Sequence, residues 1–194
     1  MLDRTSRQQL LDEISAEVRA CRKCILHRTR TNAVPGEGSC SARVMFIGEA
    51  PGYHEDQQGR PFVGSAGQLL DDLLQRAQLR RDEIFIANIL KCRPPNNRDP
   101  GSEEAAACRE YLDGQIALIQ PEVVCLLGRV PLQVLLVPGG SITRLHGQPQ
   151  EKDGMLWLPL FHPAAALHRP QYLPQLYQDM DRLRQLLQSS LEQR

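Results

Sequence analysis

The spacing of four cysteines is the strongest chemical signal in this 194-residue sequence. Cys21 and Cys24 are separated by two residues and can bind one metal centre together, while Cys92 and Cys108 can complete a set of four ligands. Four thiolates suit a zinc ion or an iron–sulfur cluster; the spacing alone does not decide, although zinc is slightly favoured. Since no secretory signal is expected, the close pair favours metal or redox chemistry over a disulfide.

A second signal comes from three polar residues that end predicted strands. Glu49 lies in GEAPG, Asn88 in NILKC and His162 in FHP. Because the carboxyl ends of parallel strands share one edge, where open α/β sheets bind ligands, we expect these residues to gather along one rim. Neither the G-x-G-x-x-G nor the G-x-x-x-x-G-K-[ST] motif occurs, so a nucleotide cofactor is not expected.

The elements that position these residues alternate between helices and short apolar strands. Strands are predicted at residues 43–50, 83–90, 122–128 and 158–163. Helices are predicted from residue 10 to about 21, then at 66–79, at 102–120 with Ser102 as N-cap, at 130–137 and at 172–187. Nearly all-apolar strands between helices are typical of a parallel sheet covered on both faces. We therefore predict an α/β fold, three-layer α/β/α with a central, mostly parallel four-stranded sheet, as a single domain over residues 1–194.

Composition limits the environment and the partners. The segment MLDRTSRQQLLDE is too charged for a signal peptide, and no apolar run approaches the roughly 20 residues that cross a bilayer. We therefore expect a cytoplasmic protein that does not associate with a membrane. The formal net charge is +0 at pH 7, so an anionic partner must be met by a local patch of Lys and Arg.

Three motifs in order along the chain carry a family resemblance. The segments GEAPGYHEDQQGRPFVGSAG, NILKCRPPNNRDP and FHPAAAL, with the cysteine spacing, resemble the iron–sulfur uracil-DNA glycosylases of family 4. The resemblance implies excision of uracil from DNA, which leaves an abasic site and initiates base excision repair, and a [4Fe-4S] cluster instead of zinc on Cys21, Cys24, Cys92 and Cys108. A related branch that bonds covalently to its product carries a histidine in an insertion after the second strand. The loop KCRPPNNRDP contains no histidine, so that branch is rejected.

The resemblance also assigns the residues that would hold the base. A flipped uracil is recognised by its edge and its face; Phe62 would stack on the face, and the amide of Asn88 would match the uracil edge and mismatch cytosine. Glu55 would lie beside uracil C5 and exclude the methyl group of thymine. Ala50 stands where other glycosylases of the superfamily carry an aspartate.

Two residues of the predicted rim would carry out catalysis. His162 resembles the residue that donates to uracil O2, where charge develops as the base leaves. Glu49 is the best candidate to position water or to support the sugar cation. Because Ala50 replaces the aspartate, the role of Glu49 as a true general base stays open.

Two segments are expected to contact DNA. The loop after the second strand carries basic residues at Lys91, Arg93 and Arg98. Leu167 could fill the stack that a flipped base leaves, with His168 and Arg169 beside it. The expected partner is uracil-containing DNA, single- or double-stranded, bound by a monomer; nothing in the sequence identifies a sliding clamp or other repair partner. Two alternatives stay open: an iron–sulfur electron carrier, and a non-catalytic DNA-binding module with a structural zinc.

Overall fold

A six-stranded sheet forms the centre of the structure, a computed structural model that describes residues 2–192. The strands are β1 (Glu37–Gly38), β2 (Val44–Gly48), β3 (Phe85–Asn88), β4 (Val123–Leu127), β5 (Gln150–Lys152) and β6 (Met155–Leu160). Their order across the sheet is β1-β3-β2-β4-β6-β5. The limits of the predicted domain, residues 1 and 194, lie outside the described residues.

The four inner strands are those that the sequence predicts. β3, β2, β4 and β6 run parallel, with Phe46 of β2 opposite Ile86 of β3 and Cys125 of β4. Strands buried on both faces consist almost entirely of apolar residues, which explains why the pattern was detectable. The prediction of four strands is incomplete, because β1 and β5 add short antiparallel edges.

Helices cover both faces of the sheet. They are α1 (Arg4–Ala20), α2 (Tyr53–Gln58), α3 (Ser65–Arg76), α4 (Ser102–Ile119), α5 (Arg129–Leu135), α6 (Ile142–Leu145), α7 (Pro163–His168) and α8 (Leu173–Glu192). Single 3₁₀ turns occur at Ile25–Arg28, Arg81–Glu83, Pro95–Asn97 and Pro170–Tyr172. Residues of α1 and α4 share a buried core with one face of the sheet, and residues of α3 and α8 with the other. The three-layer α/β/α prediction is confirmed.

Capping interactions set two helix starts that the sequence did not predict correctly. The N-cap of α4 is Gly101 rather than Ser102, because the Glu104 carboxylate accepts a hydrogen bond from the Gly101 backbone N–H at 2.8 Å. The segment around Glu55, which lies outside the predicted helices, forms α2 after Gly52, and the Glu55 carboxylate likewise accepts from the Gly52 N–H at 3.2 Å. In both cases a glutamate in the first turn satisfies a backbone donor that the helix leaves unpaired.

Within the described chain, every helix is too short or too polar to cross a bilayer.

Candidate active site

The carboxyl edge of the inner strands surrounds a cavity of about 440 Å³. Glu49 follows β2, Asn88 ends β3, and His162 lies two residues beyond β6; all three line the cavity. Ala50, Glu55, Phe62, Arg98 and His168 line it as well. The predicted rim is therefore present, at the size typical of a small-ligand pocket.

Asn88 lines this cavity and carries an unpaired amide oxygen. The residue is only 2% exposed, and its Oδ1 has no hydrogen-bond partner among the residues that the structure describes. Gly48 leaves the room that the amide needs, since a Cβ at Gly48 would meet Asn88 Oδ1 and lie 2.7 Å from Phe62 Cζ. A buried polar atom without a partner is costly to a fold. The site is therefore suited to a ligand that donates a hydrogen bond to Asn88.

Phe62 is held at the cavity by a constrained turn. Its φ is 50°, a left-handed value that non-glycine residues seldom adopt, and it is 6% exposed. Arg81 donates to the carbonyl oxygens of Pro61 at 2.5 Å and Phe62 at 3.1 Å. Glu55 accepts hydrogen bonds from the backbone N–H groups of Val63 and Gly64 at 2.8 and 2.9 Å. The ring is thus fixed before any ligand arrives.

His162 is a neutral imidazole with a defined tautomer. As N-cap of α7, its Nδ1 accepts a hydrogen bond from the Ala164 N–H at 3.1 Å. Burial lowers the pKa of His162 to about 4, while the Glu55 carboxylate opposes this shift. An acceptor Nδ1 on an uncharged ring leaves the proton on Nε2. The ring can therefore donate one hydrogen bond into the cavity without carrying a positive charge.

Glu49 lies in a partly desolvated position beside a charged pair. Burial raises the pKa of Glu49, and the Asp99 carboxylate raises it further, while Arg129 opposes the change. Arg129 and Asp99 form an ion pair at 2.6 Å. This pair was not predicted from the sequence, although Arg129 lies two residues beyond the end of β4 at the same edge of the sheet. A carboxylate in such a place attracts a developing positive charge and can hold a water molecule.

The four cysteines line a second, small cavity on the opposite face of the sheet from α3 and α8. Cys21 follows α1, Cys24 precedes a 3₁₀ turn, Cys92 lies in the loop after β3 and Cys108 lies within α4. Burial raises the pKa of the Cys92 and Cys108 thiols, that of Cys108 to about 11. Among the described residues, no three His, Cys, Asp or Glu side chains are close enough together for one metal ion.

Comparison with known proteins bears on this geometry. A family model described as the Uracil DNA glycosylase superfamily matches residues 35–185. The type-4 uracil-DNA glycosylase of Sulfurisphaera tokodaii is 46% identical over 186 residues, covering 91% of this chain and 84% of the relative. The type-4 uracil-DNA glycosylase of Archaeoglobus fulgidus is 43% identical over 186 residues, covering 91% and 92%. The chain belongs to the type-4 uracil-DNA glycosylases. A type-5 uracil-DNA glycosylase of Thermus thermophilus is 34% identical over 128 residues, 58% of each chain.

One expected DNA contact of this uracil-DNA glycosylase is wrong. Lys91 is 1% exposed, and its Nζ donates to Gln115 Oε1 at 2.8 Å in the interior. Burial lowers the pKa of Lys91 to about 7. The side chain therefore cannot reach a phosphate. A charged residue in a polar segment usually lies in solvent, and only the tertiary partner Gln115 reveals otherwise.

The other predicted contacts define the cavity mouth: Arg98 and His168 line the cavity, and the remaining three, Arg93, Leu167 and Arg169, are next to lining residues along the chain. Arg98 forms an ion pair with Glu104 at 2.6 Å, and Arg93 donates to Asn97 Oδ1 at 2.8 Å. Leu167, near the end of α7, is 48% exposed and therefore does not pack in the core. His168 and Arg169 follow it and are also exposed.

Proposed function

We propose that the protein hydrolyses the N-glycosidic bond of uracil in DNA, releasing free uracil and leaving an abasic site. The observation that carries the proposal is the buried, unpaired Oδ1 of Asn88 at the carboxyl edge of the sheet. An amide offers one acceptor and two donors. Uracil N3–H would donate to Oδ1, and uracil O4 would accept from Nδ2–H. Cytosine presents the opposite pattern on this edge, so it would be rejected.

The walls of the cavity would recognise the rest of the base. Phe62 would stack on the face of a uracil flipped out of the helix, since its turn already holds the ring in place. Glu55 would lie beside uracil C5 and exclude a thymine methyl group. Because the Glu55 carboxylate accepts three backbone N–H groups, it is anchored firmly enough to act as a steric barrier. Ala50 completes the lining near the sugar.

Bond cleavage would rest on two developing charges. As the glycosidic bond breaks, the electron pair moves onto uracil, and His162 Nε2–H would stabilise the anion at O2. The deoxyribose becomes cationic at C1′, and the Glu49 carboxylate would stabilise it and orient the attacking water. The water oxygen bonds to C1′, its released proton passes to solvent or to the departing base, and the products are uracil and an abasic sugar. Neutral His162 suits this role, because an uncharged donor stabilises an anion without itself having to lose a proton.

The cysteine site would hold a [4Fe-4S] cluster. One cavity is lined by all four cysteines, which come from three separate chain segments: Cys21, Cys24, Cys92 and Cys108. Two of their thiols are buried, and a buried thiol ionises only when a bound cation compensates the charge of the thiolate. The bound cluster would cross-link the N-terminal segment to the loop after β3 and to α4. Measurement of about four irons and four sulfides per chain, together with visible absorption, would test the assignment; zinc without sulfide would overturn it.

DNA would be held by residues at the cavity mouth. Arg93, Arg98 and Arg169 would contact phosphates, with His168 beside them, and Leu167 would enter the stack that uracil vacates. Affinity should then fall as salt concentration rises. We further propose that the protein acts as a monomer in the cytoplasm and that residues 1–194 form a single domain.

The proposed activity is tested by the release of base from defined DNA. Oligonucleotides carrying one uracil, opposite adenine, opposite guanine or in a single strand, are incubated with the protein, and abasic sites are detected by alkaline cleavage. Matched oligonucleotides with cytosine or thymine at the same position are the controls. We expect cleavage only at uracil; failure to produce abasic sites from any uracil substrate would contradict the proposal.

A further inference from the structure

The segment of Arg30, Thr31 and Asn32 contacts both functional regions of the molecule. It follows the 3₁₀ turn at Ile25–Arg28, and it lies between the cysteine site and α2. Neither the family motifs nor the cysteine spacing points to these residues. Their hydrogen bonds, joined by the peptide backbone, nevertheless connect the two sites.

On one side, Arg30 organises the cysteine site. Its Nη1 donates to Cys92 Sγ at 3.0 Å, and its Nη2 donates to the carbonyl oxygens of Arg19 and Cys21, each at 2.9 Å. The Arg19 carbonyl belongs to the last turn of α1, where carbonyl groups lack helical partners. One guanidinium thus fixes a sulfur in the loop after β3 and the main chain beside another cysteine.

On the other side, the next two residues anchor α2. The backbone N–H groups of Thr31 and Asn32 donate to Asp56 Oδ1 at 2.9 and 3.4 Å. Asn32 Nδ2 donates to the carbonyl oxygens of Asp56 and Gln57 at 2.9 and 3.0 Å. Asp56 is 3% exposed. Its carboxylate is therefore committed to this contact rather than to solvent.

Asp56 adjoins the residue that shapes the cavity. Glu55 precedes it on α2, and its carboxylate holds the backbone of Val63 and Gly64, just after Phe62. A displacement of α2 would move both the barrier expected at uracil C5 and the ring expected to stack on the base. The position of α2 therefore bears on affinity for uracil.

We propose that Arg30 is a positioning residue that holds Cys92 for the iron–sulfur cluster, and that the two residues after it, Thr31 and Asn32, tie the cluster site to the wall of the uracil cavity through their contacts with Asp56. The inference rests on the proposed function. Outer-sphere partners orient the ligands of a metal centre, and hydrogen bonds to cluster sulfurs raise its reduction potential. Arg30 would thus stabilise the cluster directly and the cavity indirectly, while Asp56 would act on the cavity alone.

The test compares R30Q, R30K and D56N with R28Q, which changes an exposed arginine two residues away. Cluster loss is followed by the decay of visible absorption under a chelator and air, and the reduction potential is measured on the intact holoprotein. R30Q should lose its cluster about 10-fold faster than R28Q, the typical effect of losing an outer-sphere partner, and should have a lower potential. R30K, which keeps a charged donor, should lie between them.

The cavity is examined in the same holoproteins at equal cluster content. R30Q and D56N should both raise KM for uracil-containing DNA several-fold with little change in kcat, while D56N should retain the cluster stability of the wild type. Identical rates of cluster loss and identical reduction potentials in R30Q and R28Q would overturn the inference. A KM unchanged from the wild type in both R30Q and D56N would overturn it as well. If R30Q is insoluble, R30K decides: cluster loss no faster than in R28Q would overturn it. A wild-type protein without iron and sulfide would instead refute the cluster assignment itself.

Discussion

Replacement of Asn88 by Asp perturbs the proposed recognition of the base with the smallest change in shape. In the wild type, Oδ1 would accept from uracil N3–H, and Nδ2 would donate to O4. In N88D a carboxylate oxygen would replace the Nδ2 donor and face uracil O4, so that two acceptors would meet at a position that is 2% exposed. Loss of one hydrogen bond and the desolvation of an unpaired acceptor together cost about 3 to 5 kcal/mol. Since each 1.36 kcal/mol is tenfold in rate, uracil excision should fall by about 10² to 10⁴.

Single-turnover excision with enzyme in excess over a uracil oligonucleotide measures this loss. Q188E, which adds one negative charge at an exposed position of α8, controls for the added charge. A weak activity on cytosine should appear in N88D, because the cytosine amino group can donate to the new carboxylate oxygen. Uracil excision within a few-fold of the wild type, in a folded N88D protein, would refute the role of this residue in recognising the base edge.

Four further predictions test other parts of the account. C92A should give colourless, poorly soluble protein, because cluster binding contributes to folding; iron content measures this. E49A and H162A should lower the single-turnover rate while DNA affinity stays close to that of the wild type, as expected for groups that act on the transition state. Between pH about 6.5 and 4, His162 binds a proton in the unfolded chain but not in the native state, because its native pKa is lowered. Acidification over this range should therefore lower the free energy of unfolding of the wild type, relative to that of H162Q, by about 1 kcal/mol per pH unit, as measured by urea titration. L167A should reduce excision most from a U·A pair, less from U·G and least from single-stranded DNA, with the melting temperature nearly unchanged, since Leu167 is exposed.

Each of these expectations has a contrary result. Soluble C92A with full colour would remove Cys92 from the ligand set. Equal losses of rate and affinity in E49A and H162A would indicate a binding or folding role. Parallel pH curves for the wild type and H162Q would show that His162 is not buried as a neutral ring. A uniform loss of excision across the DNA substrates in L167A would exclude the proposal that Leu167 enters the stack that uracil vacates.

Features with a local cause were predictable from the sequence. The inner strands are apolar because both of their faces are buried, and the parallel arrangement then places Glu49, Asn88 and His162 at one edge. The edge strands β1 and β5 are short and polar, so no periodicity marks them. α2 has only six residues, which is too short for an apolar pattern, and its start depends on the side chain of Glu55.

Features that depend on distant partners were not predictable. Lys91 is buried because Gln115 of α4 receives its ammonium. Arg30 reaches Cys92, and Asp56 receives the backbone of Thr31, only after the whole fold brings these segments together. Nothing in the flanking residues distinguishes Arg30 from an exposed arginine such as Arg28.

The central claim is that the cavity beside Asn88, Phe62 and His162 binds and cleaves the uracil nucleotide. A crystal structure of the inactive E49A protein with uracil-containing DNA tests it most directly. We predict a uracil flipped into this cavity, with N3–H and O4 on Asn88, its face on Phe62 and O2 within hydrogen-bond distance of His162 Nε2. A uracil that remains stacked in the DNA, or that lies in another cavity, would contradict the account.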